Sequence, residues 1–202
     1  QLEAARAAVK AGADILVHSV DDTLVDEEFV SLVKERGTVY TSTLIVMEGY
    51  GEVLGGDVGI NEVERKLGDP AVMMTWSEVP RGPDADEIRS RRRARLERTM
   101  SVMQQNLNMM HEGGAIVAAG TDAGNIGTLH GAALHRELEL MAEAGCYVIN
   151  FGVESGDPEI LRRIKKEVDL DEVPKSMREL VESLPQQSEG DRKAYALPQF
   201  IT

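Results

Sequence analysis

Residues 14–47 read DILVHSVDDTLVDEEFVSLVKERGTVYTSTLIVM, in which two short apolar runs flank an amphipathic, charged segment. The runs Asp14–Val20 and Val39–Met47 are rich in β-branched residues, which is typical of strands buried in a parallel sheet. Between them, Asp26 precedes Glu27–Arg36, a segment that predicts a helix with acidic residues in its first turn. Strand, helix and strand at this spacing predict parallel βα units.

The same alternation continues on both sides of this segment. Further helices are predicted at residues 1–12, 84–112, 131–144, 157–168 and 170–184, and further strands at 115–120 and 146–152. Residues 48–82 contain many glycines and prolines and are predicted to be irregular. Residues 185–202 show no period and are predicted to be a tail. The predicted fold class is α/β, a parallel sheet with helices outside it.

Composition narrows the function classes. The 202 residues are 42% hydrophobic and carry a formal net charge of -13, so one sizeable core is expected, and nucleic acid and anionic membranes are disfavoured as partners. The single cysteine, Cys146, excludes an internal disulfide and a cysteine-rich metal cluster. No run approaches the roughly 20 apolar residues of a membrane span. We expect a cytoplasmic protein acting on a small molecule, without a signal peptide, and derived from a longer or processed reading frame because it lacks an initiator Met.

Two residues have the chemistry of a metal site at the positions where such sites occur. His18 lies near the end of the first predicted strand, and Asp122 directly follows the third. Catalytic groups of parallel barrels sit at the carboxyl ends of the strands. Imidazole and carboxylate are ligands of divalent ions such as Zn²⁺. A hydrogen-bonded structural histidine and a helix-capping aspartate are the alternative interpretation.

Residues 1–145 resemble the imidazolonepropionase-like branch of the amidohydrolase superfamily. The resemblance rests on AVKAGADILVHSVDD, on VYTSTLIVMEGY and above all on GTDAG…LHG…LHREL…EAG. It implies a partial TIM-type (βα) barrel in which the three predicted strands are the sixth, seventh and eighth. It also implies a metal-dependent hydrolase acting on C–N bonds of amide or lactam type, with a divalent metal, Zn²⁺, as cofactor.

The resemblance also implies a role for each candidate residue. His18 would bind the second metal or face the substrate. Asp122 would bind the first metal and accept the proton of the attacking water. His130 would reach the mouth of the site and contact substrate. Independently of the resemblance, Tyr40 and Thr43 lie on the second predicted strand, so one of them is expected to point into the same mouth, with core packing as the alternative.

The superfamily draws its other ligands from segments that are not found in this chain. These are a His-x-His pair on the first strand, a lysine or carboxylate on the fourth and a histidine on the fifth. A metal site needs about four ligands and a whole barrel about 250 residues, so the isolated chain is expected to be inactive. A non-catalytic α/β scaffold with relic motifs is the alternative. Open strand edges predict a homo-oligomer or other association through those edges.

The C-terminal part resembles a different family. The segment AGCYVINFGVESGDPEILRRIKKEVDLDEV is similar to the middle of radical S-adenosylmethionine enzymes, which implies that Glu154 and Ser155 face the ribose of that cofactor. The three-cysteine motif of the family is missing, so a cofactor-binding module without radical chemistry is the third hypothesis. The predicted domains are 1–145 (barrel fragment), 146–184 (the second βα segment) and 185–202 (tail), joined at Glu143-Ala144-Gly145.

Overall fold

Three short strands form a parallel sheet in the order β1-β2-β3. They are β1 (Ile15–Val17), β2 (Val39–Thr41) and β3 (Ile116–Ala118). The computed structural model describes residues 1–56, 58–79, 85–146, 148–154, 157–164, 171, 175, 178 and 195–200. The prediction of an α/β protein with a parallel sheet is therefore confirmed, and helices make up most of its regular structure.

Residues 1–144 form one compact unit, and residues 145–202 form another. Around its sheet, the first unit contains α1 (Leu2–Lys10), α2 (Glu27–Arg36), α3 (Leu44–Gly55), α4 (Glu62–Leu67), α5 (Pro70–Thr75), a 3₁₀ turn (Trp76–Glu78), α6 (Ala85–Glu112) and α7 (Ala132–Glu143). In the described part of the chain, no helix is both long and apolar enough to cross a membrane.

The sheet of the first unit is covered on one face only. Side chains alternate between the faces of a strand, and the register aligns Leu16, Tyr40 and Val117 on the face where Tyr40 is fully buried. On the opposite face Ile15 and Val17 are 57% and 55% exposed, and Ile116 is 56% exposed. The expectation that the strands are buried is therefore wrong for this second face.

Helix α2 begins and ends as its sequence predicts. The Asp26 carboxylate accepts a hydrogen bond from the Phe29 amide at 2.8 Å, which satisfies one of the amides that have no partner within the helix. Gly37 ends the helix with φ of 65°, a left-handed conformation that glycine adopts without steric cost. The Arg6 side chain donates to Asp26 at 2.7 Å and thereby joins α1 to the start of α2.

The run Val39–Met47 is only partly a strand. The strand β2 ends at Thr41, and α3 begins at Leu44 after a left-handed residue at Thr43. A short apolar run suits a buried helix as well as a buried strand, and here the first turn of α3 finds a hydrogen-bond acceptor on another helix. The prediction of a strand to residue 47 is corrected accordingly.

The prediction that residues 48–82 are irregular is also wrong, since this range contains most of α3 together with α4 and α5. Asn61 and Glu64 form a reciprocal capping box at the start of α4. Asp69 caps α5, which has Pro70 in its first turn. Both are helix-start signals that the count of glycines and prolines obscured.

The second unit pairs β4 (Val148–Glu154) in parallel with β5 (Tyr195–Phe200), with an irregularity between Gly152 and Glu154. Its helix α8 (Pro158–Arg163) starts with the predicted Asp157 cap, whose carboxylate accepts from the Glu159 amide at 2.8 Å. The strand β5 lies in the range expected to be an irregular tail, which corrects that expectation for residues 195–200. The later part of the predicted helix at 157–168, and most of that at 170–184, lie outside the described residues.

Candidate functional site

Three residues with left-handed backbone follow the three strands of the sheet. His18, Thr43 and Asp122 have φ of 73°, 51° and 45°, and they are the non-glycine residues with positive φ in the described part of the chain. They lie one, two and four residues beyond the ends of β1, β2 and β3. Such a conformation costs about 1–3 kcal/mol per residue, and residues that hold it cluster at active sites and ligand clamps. The carboxyl edge of the sheet is therefore the candidate site.

His18 and Thr43 are in direct contact. The Nδ1 atom of His18 lies 2.8 Å from the Oγ1 atom of Thr43. The His18 side chain is exposed, whereas Thr43 is buried. If Nδ1 donates this hydrogen bond, the imidazole keeps the lone pair of Nε2 for a ligand. The contact also draws the imidazole toward β2, the strand next to its own.

Asp122 is oriented by the loop that follows it. Its Oδ2 atom accepts a hydrogen bond from the side-chain Nδ2 atom of Asn125 at 3.0 Å. The Oδ1 atom of Asn125 in turn accepts from the Tyr50 hydroxyl at 2.8 Å. Thr128 also donates from its hydroxyl to the main-chain oxygen of Asp122 at 3.1 Å. Asp122 is exposed, and hydrogen bonds through Asn125 and Tyr50 connect its carboxylate to α3.

The same loop touches α3 backbone to backbone. A Cβ atom placed on Gly127 would lie 2.5 Å from the Cα atom of Gly49, and one on Gly49 would lie 2.8 Å from the main-chain oxygen of Ile126. Gly127 also has φ of 76°. Only glycine fits at this close approach, so the backbone contact fixes the position of the Asp122 loop relative to α3.

A buried carboxylate lies beneath the site. Glu137 on α7 is fully buried. Its Oε1 atom accepts from the Ser42 hydroxyl at 2.6 Å, and its Oε2 atom accepts from the Ile45 amide at 2.8 Å. Burial raises the pKa of Glu137, although the hydrogen bonds from Ser42 and from the amides of Ile45 and Leu44 oppose that shift.

Sequence reasoning did not select Glu137 or Asn125 as members of this site. For Glu137 a signal existed, because an acidic residue at a buried position of an amphipathic helix requires a partner. Thr43 was predicted, together with Tyr40, as one of two residues of which one would point into the barrel mouth. Histidine and aspartate are enriched among non-glycine residues with positive φ, which is a weak signal for His18 and Asp122, whereas a β-branched residue such as Thr43 gives none.

The other predicted site residues lie in different surroundings. Tyr40 is fully buried, its hydroxyl accepts from the Val20 amide at 3.1 Å, and burial raises its pKa, so this side chain packs between the sheet and its helices. His130 is exposed beside the loop of Asp122, where a Cβ atom on Gly124 would lie 3.1 Å from its Cε1 atom. Glu154 ends β4, and Ser155 lies outside the described residues. The role of Glu154 and Ser155 in binding a cofactor stays a prediction.

A cavity of about 860 Å³ lies between α3, α6 and α7, but none of the predicted site residues lines it. The Arg136 guanidinium at its wall is bound by three carboxylates, namely those of Glu48, Glu139 and Glu143, at 2.7, 3.0 and 3.0 Å. These partners neutralise the cation and raise its pKa. These ion pairs join α3 to α7, which is a structural role. The strand ends are therefore a better candidate for the functional site than this cavity.

The described residues do not form a complete metal site. Among them, no three His, Cys, Asp or Glu side chains are grouped so as to hold an ion. His18 and Asp122 follow strands that are separated by β2, a distance of about 10 Å between strand axes. Since a closed site needs about four ligands, these two residues fit part of a metal site and not the whole of one.

The comparisons with known proteins add little to this geometry. No protein-family model and no curated protein matches the sequence. Among solved structures the chain is similar to a Xaa-Pro dipeptidase crystallised with methionine in its active site, at 23% identity and a TM-score of 0.42. The match covers 72% of this chain and 27% of that one, so the chain spans about a quarter of the length of the dipeptidase. A likeness of this degree decides neither the fold nor the activity of this chain.

Proposed function

We propose that this chain contributes the last three strands of a metal-dependent hydrolase barrel that acts on C–N bonds of amide or lactam type in a small molecule. The observation that carries the proposal is the left-handed backbone of His18, Thr43 and Asp122 at the carboxyl ends of three adjacent parallel strands. Strain of this kind persists only where the surrounding structure enforces it. Its occurrence at all three strand ends favours a functional edge.

Each residue of this edge has a distinct role in the proposal. When Nδ1 of His18 donates to the Thr43 hydroxyl, His18 offers Nε2 to a divalent ion or to the substrate, and Thr43 orients the ring. Asp122 is an exposed carboxylate held on one oxygen by Asn125, and such a group accepts a proton from an attacking water. His130, exposed beside the same loop, contacts the substrate. A divalent ion, for which Zn²⁺ suits these ligand types, polarises the scissile carbonyl when it is bound.

In this proposal the chain forms only part of the barrel and only part of the metal site. An apolar sheet face that is half exposed at Ile15, Val17 and Ile116 is the surface that the interior of a partial barrel would present. The remaining ligands and strands would come from a segment or chain that supplies the other strands of the barrel. On this proposal the chain alone binds metal weakly and does not turn over substrate.

The absence of three grouped ligands among the described residues favours a second candidate, a non-catalytic α/β scaffold. The two candidates differ in one measurable property. A scaffold has no use for His18 and Asp122, so neither residue would affect the response of the protein to metal. A partial site requires both of them.

The test is a thermal melt of the chain with and without Zn²⁺, with the His18→Ala/Asp122→Ala double variant beside wild type. Bound metal stabilises the folded state by mass action, so we expect Zn²⁺ to raise the melting temperature of wild type but not of the double variant. The matched control is His135→Ala/Asp21→Ala, which removes an exposed imidazole and an exposed carboxylate elsewhere. A wild-type melting temperature that is unchanged by Zn²⁺ would favour the scaffold.

A further inference from the structure

The start of α3 lacks the cap that its own sequence offers. Thr43 is the N-cap residue, a position where threonine is ordinarily extended and its hydroxyl accepts from an amide of the first turn. Here Thr43 is left-handed, with φ of 51° and ψ of 45°, and makes no such bond. Its hydroxyl lies against His18 instead. The first amides of α3 therefore need an acceptor from elsewhere.

Glu137 supplies that acceptor from a different helix. Its two carboxylate oxygens take the Ile45 amide and the Ser42 hydroxyl, at 2.8 and 2.6 Å, so the carboxylate spans the residues on both sides of Thr43. A negative charge at this end of a helix is also favoured by the helix dipole. Glu137 lies 92 residues from Ile45 in the chain and is fully buried, so no local turn chemistry accounts for the contact.

Ser42 extends the connection back to the strand that carries His18. Its main-chain oxygen accepts from the Ser19 amide at 3.0 Å and from the Ser19 hydroxyl at 3.1 Å. On the other side, a Cβ atom on Gly120 would lie 3.5 Å from the methyl group of Thr43. Thr43 is thus enclosed between the exits of β1 and β3, and the chain around it is held at Ser42 and at Ile45.

We infer that Glu137 is a positioning residue for His18: by capping α3 from α7, it frees the Thr43 hydroxyl to hold the imidazole. The importance of this arrangement for metal or substrate rests on the proposed function. The arrangement itself belongs to the chain without metal. If the capping carboxylate is removed, the Thr43 hydroxyl turns to the open amides of its own helix, as an N-cap threonine does elsewhere, and leaves the imidazole unrestrained.

The test is the tautomer ratio of the His18 ring, measured by nitrogen-15 NMR of the full chain without metal at about pH 8, where unperturbed imidazoles are neutral. We expect wild type to hold mainly the Nδ1–H tautomer, in which Nδ1 donates to Thr43. Glu137→Ala should shift the ratio toward the mixture expected of Thr43→Val, a variant without the hydroxyl. Glu137→Gln keeps a carbonyl oxygen for the Ile45 amide, and its side-chain NH2 can donate to the Ser42 hydroxyl, so this conservative variant should retain the wild-type ratio. Glu137→Met fills the space without a capping oxygen and decides the question if Glu137→Ala does not fold.

Leu107→Ala is the control for stability, because it truncates a fully buried side chain of α6. It should lower the melting temperature and leave the His18 ratio as in wild type. A wild-type ratio in folded Glu137→Ala or Glu137→Met, or an equal shift in Leu107→Ala, would overturn the inference. Because no metal is present, neither outcome depends on Zn²⁺ binding, and a failure of the proposed function would leave this ratio unaffected.

Discussion

At the scale of single residues, the carboxyl edge of the sheet is defined by His18, Thr43 and Asp122, whose left-handed backbone follows the three strands. His18 and Asp122 were selected because an imidazole and a carboxylate after buried strands suit a metal site. The left-handed backbone that they share with Thr43 was not predicted, because it is uncommon at any non-glycine residue. It is enriched at histidine and aspartate, but it is an outlier at a β-branched residue such as Thr43. The contacts of Glu137 were equally hidden, since its partners Ser42 and Ile45 are more than 90 residues away.

The strain at Asp122 has a measurable consequence for stability. A left-handed conformation costs an L-residue about 1–2 kcal/mol relative to glycine. We expect Asp122→Gly to be more stable than Asp122→Ala by about that amount, because both variants lose the contact with Asn125 and only the alanine retains the strain. Urea denaturation of the two proteins measures the difference. Equal stabilities would mean that the backbone at residue 122 is not held in this conformation.

The ion pair between Arg6 and Asp26 predicts a pH dependence. The hydrogen bond from Arg6 and that from the Phe29 amide lower the pKa of Asp26. A lowered pKa in the folded state contributes stability above the unfolded value of about 3.9 and loses it as the pH falls through the folded value. Stability should therefore fall less steeply below about pH 4 in Asp26→Asn, which keeps a capping side chain but does not ionise. Melting curves across that range test this, and parallel pH profiles for the two proteins would contradict it.

At the scale of elements, signals at helix ends were reliable and apolar runs were ambiguous. Helix α2 begins after Asp26 and ends before Gly37, as predicted. Residues 44–47 are apolar enough for either a strand or a buried helix. The Glu137 carboxylate, which accepts from the Ile45 amide and so favours the helix, lies 92 residues further along the chain. The glycines at 49, 51 and 55 indicated a loop, yet α3 runs through all three, and Gly49 is where the loop after β3 makes its close approach.

The contact between Gly127 and Gly49 predicts a large effect of one methyl group. Gly127→Ala would place a Cβ atom 2.5 Å from the Cα atom of Gly49 at a residue with φ of 76°. Left-handed strain and overpacking together should cost about 2–4 kcal/mol. Gly37→Ala is the matched control, because its φ is 65° and a Cβ there meets nothing within 4 Å. Denaturant titration should find the control clearly less destabilised, and equal losses would count against the close approach.

At the scale of the whole molecule, the class of fold was predictable and its extent was not. The alternation of strand and helix indicated a parallel sheet, and the sheet is present with all three strands in the first compact unit. Periodicity cannot tell which face of a sheet is covered, because coverage depends on segments elsewhere. The exposure of Ile15, Val17 and Ile116 is therefore a feature that the periodicity could not predict. The second unit, which contains β4 and β5, is a separate compact unit.

An open apolar sheet face predicts self-association. Exposed patches of this kind and unpaired strand edges promote contact between chains. We expect light scattering to find dimers or larger species, and Val17→Glu to reduce them by placing a charge on the open face. Leu67→Glu is the control, because Leu67 is 59% exposed on α4, away from the sheet strands. A monodisperse wild-type monomer would contradict the expectation.

The most direct measurement for the whole account is a Zn²⁺ titration followed by NMR of the imidazole rings, since the chain has 4 histidines. Two of them, His111 and His135, have no role in the proposed site and serve as internal references. A partial metal site at the strand ends predicts that the His18 ring responds at the lowest Zn²⁺ concentration and that Asp122→Ala weakens this response. A titration in which His18 stays unchanged while the other rings respond, or in which Asp122→Ala has no effect, would contradict the account.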